Sequence, residues 1–156
     1  MIKILFVCHG NICRSPMAEF VLKDMVIKQG LQDQFLIASA ATSREEIGNS
    51  VHYGTRLKLA KHNIYCDGKT ARQMTRHDYD TYDFLLGMDS MNIRNMLRIV
   101  GEDKKHKIKR ILDFSSHPRD ISDPWYTDNF DITYEDIVEG CNALLTFLKE
   151  TGRIKQ

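Results

Sequence analysis

Apolar residues recur along the chain with two different periods. The run Ile2-Lys3-Ile4-Leu5-Phe6-Val7 is too short and too rich in β-branched residues for a helix, and it predicts a first strand running into Cys8. From Ser15-Pro16 onward, Met17, Phe20, Val21, Leu22, Met25 and Val26 repeat at helical spacing up to Gly30. Ser15 is the expected N-cap of this helix and Pro16 its first helical residue. Residues 35–40 predict a second strand, 42–49 a polar loop and 50–62 a helix of weaker pattern. Thr75-Arg76-His77-Asp78 has the form of a capping box opening a short helix. Residues 84–88 predict a third strand, 90–100 a helix closed by Gly101, and 107–112 a fourth strand. After a long loop, Thr133-Tyr134-Glu135-Asp136 is the expected start of a last helix, with Ile137, Cys141, Leu144, Leu145 and Leu148 on one face.

Strands separated by helices pair in parallel through right-handed crossovers, with helices on both faces of the sheet. The pattern therefore predicts an α/β fold with a four-stranded, doubly wound parallel sheet. The chain has 156 residues, with no repeat, linker or break in composition, so residues 1–156 are expected to form one domain. At 42% hydrophobic with 3 prolines and 9 glycines, it is neither disordered nor collagen-like. A chain of this length closes a core without disulfide or metal staples.

Charge narrows the choice of partners. Lys and Arg total 22 against 21 for Asp and Glu, which leaves no global footprint for nucleic acid or an anionic membrane. Any bound anion must be held locally. The apolar run at the start is too short for a signal peptide or a membrane span, so the expected location is the cytoplasm. Cys8, Cys13, Cys66 and Cys141 have no framework-like spacing and are expected as thiols there.

Cys8-His9-Gly10-Asn11-Ile12-Cys13-Arg14-Ser15 carries the chemistry. If the first strand is central, this loop sits at the crevice where the chain order switches direction. It begins where a strand ends and finishes where a helix begins, so its amides can curl around an anion at the helix N-terminus. Gly10 and Asn11 tolerate the left-handed backbone such a nest needs. Arg14 adds a planar fork that matches two phosphate oxygens. The field that binds phosphate also favours a thiolate, which makes Cys8 the expected nucleophile. The ending of a nucleotide-binding phosphate loop, Gly-Lys-Ser/Thr, is missing. Asp123, followed by Pro124, Trp125 and Tyr126, is the expected acid for the leaving oxygen and then the base for water. Arg14 and the amides supply the positive field, so no metal or other cofactor is expected. The six histidines lack metal-ligand spacing.

These residues resemble the low-molecular-weight protein tyrosine phosphatases over nearly the whole chain. The match runs through Cys8-x5-Arg14-Ser15, Ser15-Pro16-Met17-Ala18-Glu19, Ser39-Ala40-Ala41-Thr42-Ser43, Ile47-Gly48-Asn49, Ala71-Arg72-Gln73, Met88-Asp89 and Asp123-Pro124-Trp125-Tyr126. The resemblance implies a flavodoxin-like three-layer sandwich with strand order 2-1-3-4. It implies that Cys8 is the nucleophile, that His9 to Ser15 bind phosphate or an inhibitory oxyanion, and that Asp123 is the acid. It also implies that Ser15 stabilises the leaving thiolate, that Asn11 and Ser39 hold the loop, and that Cys13 forms a reversible disulfide with Cys8 under peroxide.

The implied substrates are phosphotyrosine proteins or peptides and aryl phosphates, acted on by a monomer or weak dimer. A related branch acts on phosphoarginine and typically has Thr where this loop has Ile12, so Ile12 is of the tyrosine type. Tyrosine-selective members usually carry an aromatic residue in the part of the rim that is Arg44-Glu45-Glu46 here. The expected cleft rim is therefore Ile12, Glu45 and Glu46 facing Trp125 and Tyr126, with the acids favouring basic residues beside the phosphotyrosine. An arsenate reductase on the same fold would need further cysteines after the third strand, and residues 83–100 contain none. A silent binding module would be expected to lose Cys8, Arg14 or Asp123. Cys66 and Cys141 read as small buried hydrophobes, and Met88-Asp89 as a strand end that fixes a loop.

Overall fold

In the computed structural model, which describes residues 1–155, the first strand is buried on both faces. Strand β1 (Ile2–Cys8) sends Ile2, Ile4, Phe6 and Cys8 into one apolar cluster and Leu5 and Val7 into another. A strand apolar on both sides belongs at the centre of a sheet that is covered twice. It pairs in parallel with β2 (Phe35–Ala41) on one side and β3 (Phe84–Gly87) on the other. Strand β4 (Ile108–Arg110) pairs with β3, and the order is β2-β1-β3-β4, as expected. The register sets Cys8 opposite Ala41 and Val7 opposite Gly87, so these strands present their C-terminal ends together.

Helices α1 (Arg14–Lys28) and α6 (Phe130–Glu150) supply Met17, Leu22, Ile137, Leu144 and Leu148 to the cluster around Ile4 and Phe6. Helices α3 (Arg76–Thr81) and α4 (Ser90–Val100) supply Tyr79, Met96 and Val100 to the other. Helix α2 (Tyr53–Ala60) lies against α1 and α6, and one turn, α5 (Pro124–Thr127), precedes α6. The arrangement is a three-layer sandwich. No helix among the described residues is long and apolar enough to cross a membrane.

Several boundaries differ from the sequence expectation for identifiable reasons. Helix α1 starts at Arg14 with Cys13 before it, so Ser15 is not its N-cap; the Ser15 hydroxyl is engaged with Cys8 and Asn11 instead. Helix α2 is shorter than the expected 50–62 because Ser50 bridges to Thr70 and His52 caps the helix by accepting from Gly54 N at 3.0 Å. Strand β4 stops at Arg110, where the Asp113 carboxylate accepts from Arg110 N at 2.8 Å and draws the chain into a 3-10 turn. Helix α6 opens at Phe130, capped by Asn129 Oδ1 accepting from Ile132 N at 3.1 Å. Thr133, expected to cap it, lies inside the helix and donates instead to the carbonyls of Ser122 and Asn129, each at 3.2 Å. The Thr75–Asp78 box and the Gly101 stop are as expected, with Thr75 N donating to Asp78 at 2.8 Å and Gly101 at φ 93°.

Helix α6 packs tightly on the turn that follows β4 at Gly140, where an added Cβ would stand 2.6 Å from Ile111 Cγ1. Gly140→Val should lower the unfolding free energy by about 1–3 kcal/mol through overpacking. Gly140→Ala should fall between, since its helix propensity returns about 1 kcal/mol. Urea midpoints at constant m-value measure both, and a neutral valine would mean that α6 can shift away from the Ile111 turn.

Candidate active site

The chain leaves β1 at Cys8 and re-enters regular structure at Arg14, and the five residues between form a closed nest. Asn11 takes the left-handed region, with φ 58°; Gly10, expected to share that role, does not. What Gly10 provides is room, because a Cβ there would lie 3.3 Å from Glu46 Cγ. The amides of Asn11 and Ser15 approach Cys8 Sγ at 3.3 and 3.4 Å, and Ser15 Oγ lies 3.0 Å from it. The sulfur thus rests against the N-terminal turn of α1, where the helix dipole and unpaired amides favour negative charge.

A side-chain network holds this geometry. Asn11 Nδ2 donates to Ser15 Oγ at 2.7 Å and to Ser39 Oγ at 2.9 Å, while Asn11 Oδ1 accepts from Arg72 N at 3.3 Å. Arg14 is only 2% exposed. Its Nη1 donates to Asp89 at 2.7 Å and to the Ile121 carbonyl at 2.8 Å, and its Nη2 reaches Asp123 at 3.4 Å. Burial opposes the charge on Arg14, but Cys8, Asp89 and Asp123 outweigh it and hold its pKa above the ordinary guanidinium value.

Asp123 is the N-cap of α5, its Oδ1 accepting from Trp125 N at 3.0 Å with Pro124 at the first helical position. The backbone is extended at Asp123 and turns helical at Pro124, a helical turn that no apolar period in the sequence signals. Cys8, Arg14 and Asp123 line one cavity of about 370 Å³. Gly10, Ile12 and Cys13 complete its floor, Glu45 and Glu46 line one side, and Trp125 and Tyr126 another. The two aromatics are 58% and 83% exposed, which leaves their faces free for a ligand. His9, counted with the phosphate binders, directs its ring to the rim, where Nε2 lies 3.0 Å from Glu45.

Cys13 lines the same cavity yet is buried, and burial together with the Cys8 and Asp123 charges pushes its thiol up to about 12. Cys66 and Cys141 are buried in the apolar cluster, as expected, and burial raises both thiols. Asp89 was expected only to fix a loop. It does cap α4, accepting from Asn92 N at 2.7 Å, but it is also the nearest carboxylate to Arg14. His52 is a further addition, stacked on Phe130 at 5.4 Å and meeting Trp125 edge-on at 5.8 Å. Asp89 could have been placed from topology, since it follows the strand beside β1; His52 had no comparable signal.

The family described as low molecular weight phosphotyrosine protein phosphatase matches residues 3–154. The low molecular weight protein-tyrosine-phosphatase YfkJ of Bacillus subtilis is 40% identical over 99% of this chain and all of its own length. Its crystal structure superposes with a TM-score of 0.91 over 97% of this chain and 96% of that one. The low molecular weight phosphotyrosine protein phosphatase of Rattus norvegicus is 40% identical over 91% of this chain and 92% of its own. A Drosophila arginine phosphatase also matches, with 28% identity and a TM-score of 0.87 over 95% of this chain and 98% of that one. With the family matched over residues 3–154 and relatives at this identity, the chain belongs to the low molecular weight phosphotyrosine protein phosphatases.

Proposed function

We propose that the protein hydrolyses phosphotyrosine monoesters through a phosphocysteine intermediate. The observation that carries this reading is the placement of the Cys8 sulfur against two amides and a hydroxyl in a cavity shared with Arg14 and Asp123. The Cys8 thiolate attacks phosphorus and the bond to the phenolic oxygen breaks, with Asp123 delivering the proton that the leaving oxygen needs. Asp123 then takes a proton from water as that water attacks the phosphocysteine. The sulfur–phosphorus bond breaks, inorganic phosphate forms, and the sulfur leaves as a thiolate held by Ser15 and the amides. Arg14 and the loop amides from His9 to Ser15 carry the developing charge on the phosphoryl oxygens.

Tyrosine is favoured over arginine as the phosphate carrier by Ile12, an apolar side chain on the cavity floor, and by Trp125 and Tyr126, which give an aryl ring a wall to pack on. Glu45 and Glu46 on the rim favour peptides with basic residues beside the phosphotyrosine. Reduced protein without added metal should release phosphate from phosphotyrosine peptides faster than from phosphoarginine, and faster from basic-flanked than from acidic-flanked peptides. Cys8→Ser should abolish release while keeping ester binding measurable. Preference for phosphoarginine would assign the alternative substrate, and flank-independent rates would remove the rim acids from specificity.

Asp123→Ala should lower kcat by about 10²–10⁴-fold for phenyl esters with poor leaving groups and much less for activated esters. A leaving-group series measures this, and an equal loss across the series would move the acid role elsewhere.

Cys8 and Cys13 share the cavity, which supports a redox pairing. Peroxide oxidises the Cys8 thiolate to sulfenic acid; the Cys13 sulfur then displaces water to form a disulfide. Mass spectrometry after mild peroxide should find the Cys8–Cys13 bond and recovery of activity with thiol. Sulfinic acid at Cys8 with no disulfide would refute protection by Cys13.

A further inference from the structure

Glu19 lies in α1, outside the cavity, and is only 4% exposed. A carboxylate at that depth is tolerated only with charge and hydrogen-bond partners. Its Oε1 accepts from Ser39 Oγ at 2.5 Å and lies 3.7 Å from Lys69 Nζ, and its Oε2 pairs with Lys23 at 2.6 Å. Lys69 is itself largely buried and also donates to the Ser39 carbonyl at 3.0 Å. Lys23 is more exposed, which weakens its hold on the acid.

Counting donors along this network fixes a direction. Arg72 N occupies Asn11 Oδ1, so the amide of Asn11 turns both of its hydrogens toward Ser15 and Ser39. Each hydroxyl oxygen therefore accepts from Asn11 and must send its own proton elsewhere. The Ser39 proton goes to Glu19, which as a carboxylate can only accept. The Ser15 proton has two acceptors in reach, Cys8 Sγ at 3.0 Å and the Ala40 carbonyl at 3.4 Å, and the nearer is the sulfur.

We propose that Glu19 and Lys69 are positioning residues for the Cys8 reaction: the carboxylate, steadied by the lysine, orients Ser39 and through Asn11 reserves the Ser15 proton for the sulfur. The inference rests on Cys8 being the nucleophile. A glutamine at position 19 can donate to Ser39, freeing the Ser39 proton to turn against Asn11 and loosening the whole chain. Arg14 and Asp123, the charged groups that face Cys8 directly, are untouched by such a change.

The deciding measurement is the pH dependence of Cys8 alkylation by iodoacetamide, read at Cys8 by tandem mass spectrometry, beside kcat and KM for an aryl phosphate. Glu19→Gln should raise the alkylation midpoint by about one pH unit and lower kcat by about tenfold, with KM nearly unchanged. Lys69→Met should shift both in the same direction by less, and Lys69→Arg should restore them. A purely structural role would lower the thermal midpoint or the active fraction without moving the alkylation midpoint. An unmoved midpoint in Glu19→Gln overturns the proposal, and if that variant does not fold, an unmoved midpoint in Lys69→Met does so. Wild-type protein inert toward aryl phosphate would sink the phosphatase reading, while the alkylation profile would still report on the network.

Discussion

Burial of the Arg14 guanidinium is the constraint around which the rest of the site is arranged. Taking such an ion out of water costs several kcal/mol unless partners replace its hydration. Here the partners come from two separate parts of the chain: Asp89 after β3, and the segment before α5 that supplies both the Ile121 carbonyl and Asp123. Their convergence ties the C-terminal ends of the strands to the loop that carries Asp123. The fold supplies this convergence through the strand order β2-β1-β3-β4, which sets β1 beside β3 and brings Cys8 and Asp89 to the same end of the sheet. Thr133 adds a second tie, joining α6 to the Ser122 carbonyl next to Asp123.

The parts of the site that were legible in the sequence are those written contiguously. Cys8 to Ser15 occupy one strand-to-helix junction, and Asp123 is marked by the proline after it. The alternating pattern likewise places every strand, because a centrally buried β1 admits few alternatives. What the sequence concealed depends on side chains meeting across the fold. Ser15 looks like a helix cap because serine before proline usually is one, but the sulfur beside it competes for the same hydroxyl. Thr133 looks like a cap for the same reason and is instead a cross-strut, while Asn129 does the capping four residues earlier. Nothing in the periodicity of the helix marks Glu19 as buried, because its partner Ser39 lies on β2, twenty residues away.

The two sides of the cavity differ in chemistry and in rigidity. Trp125 and Tyr126 belong to a single helical turn held by the Asp123 cap, with Trp125 braced edge-on by His52. His52 is in turn stacked on Phe130, at the first residue of α6, so this wall is anchored to the long helix. Glu45 and Glu46 sit on a polar loop whose ends are fixed by backbone bonds to Cys8, His9 and Ala71, while their own carboxylates make only exposed contacts, Asn49 Nδ2 to Glu46 at 2.6 Å and the His9–Glu45 pair. Exposed pairs of this kind contribute little stability, so the two carboxylate side chains can change partners without disturbing the nest.

Arg14 divides its duties between its nitrogens. Nη1 is saturated by short bonds to Asp89 and Ile121, and these hold the plane of the guanidinium whether or not a ligand is present. Among the described residues, the only hydrogen-bond partner of Nη2 is Asp123, at a long 3.4 Å. A phosphoryl group entering the nest offers oxygens to that same edge with better geometry and more charge than the carboxylate does. In the proposed reaction the phosphoryl group would take over this contact and release Asp123 Oδ2, while Oδ1 stays on the Trp125 amide. The oxygen freed in this way would stay on the wall of the cavity that Asp123 shares with Cys8 and Arg14. On the proposed mechanism, phosphate binding and presentation of the acid would be one exchange of partners at a single arginine, which the anchoring of Nη1 by Asp89 and Ile121 leaves Nη2 free to make.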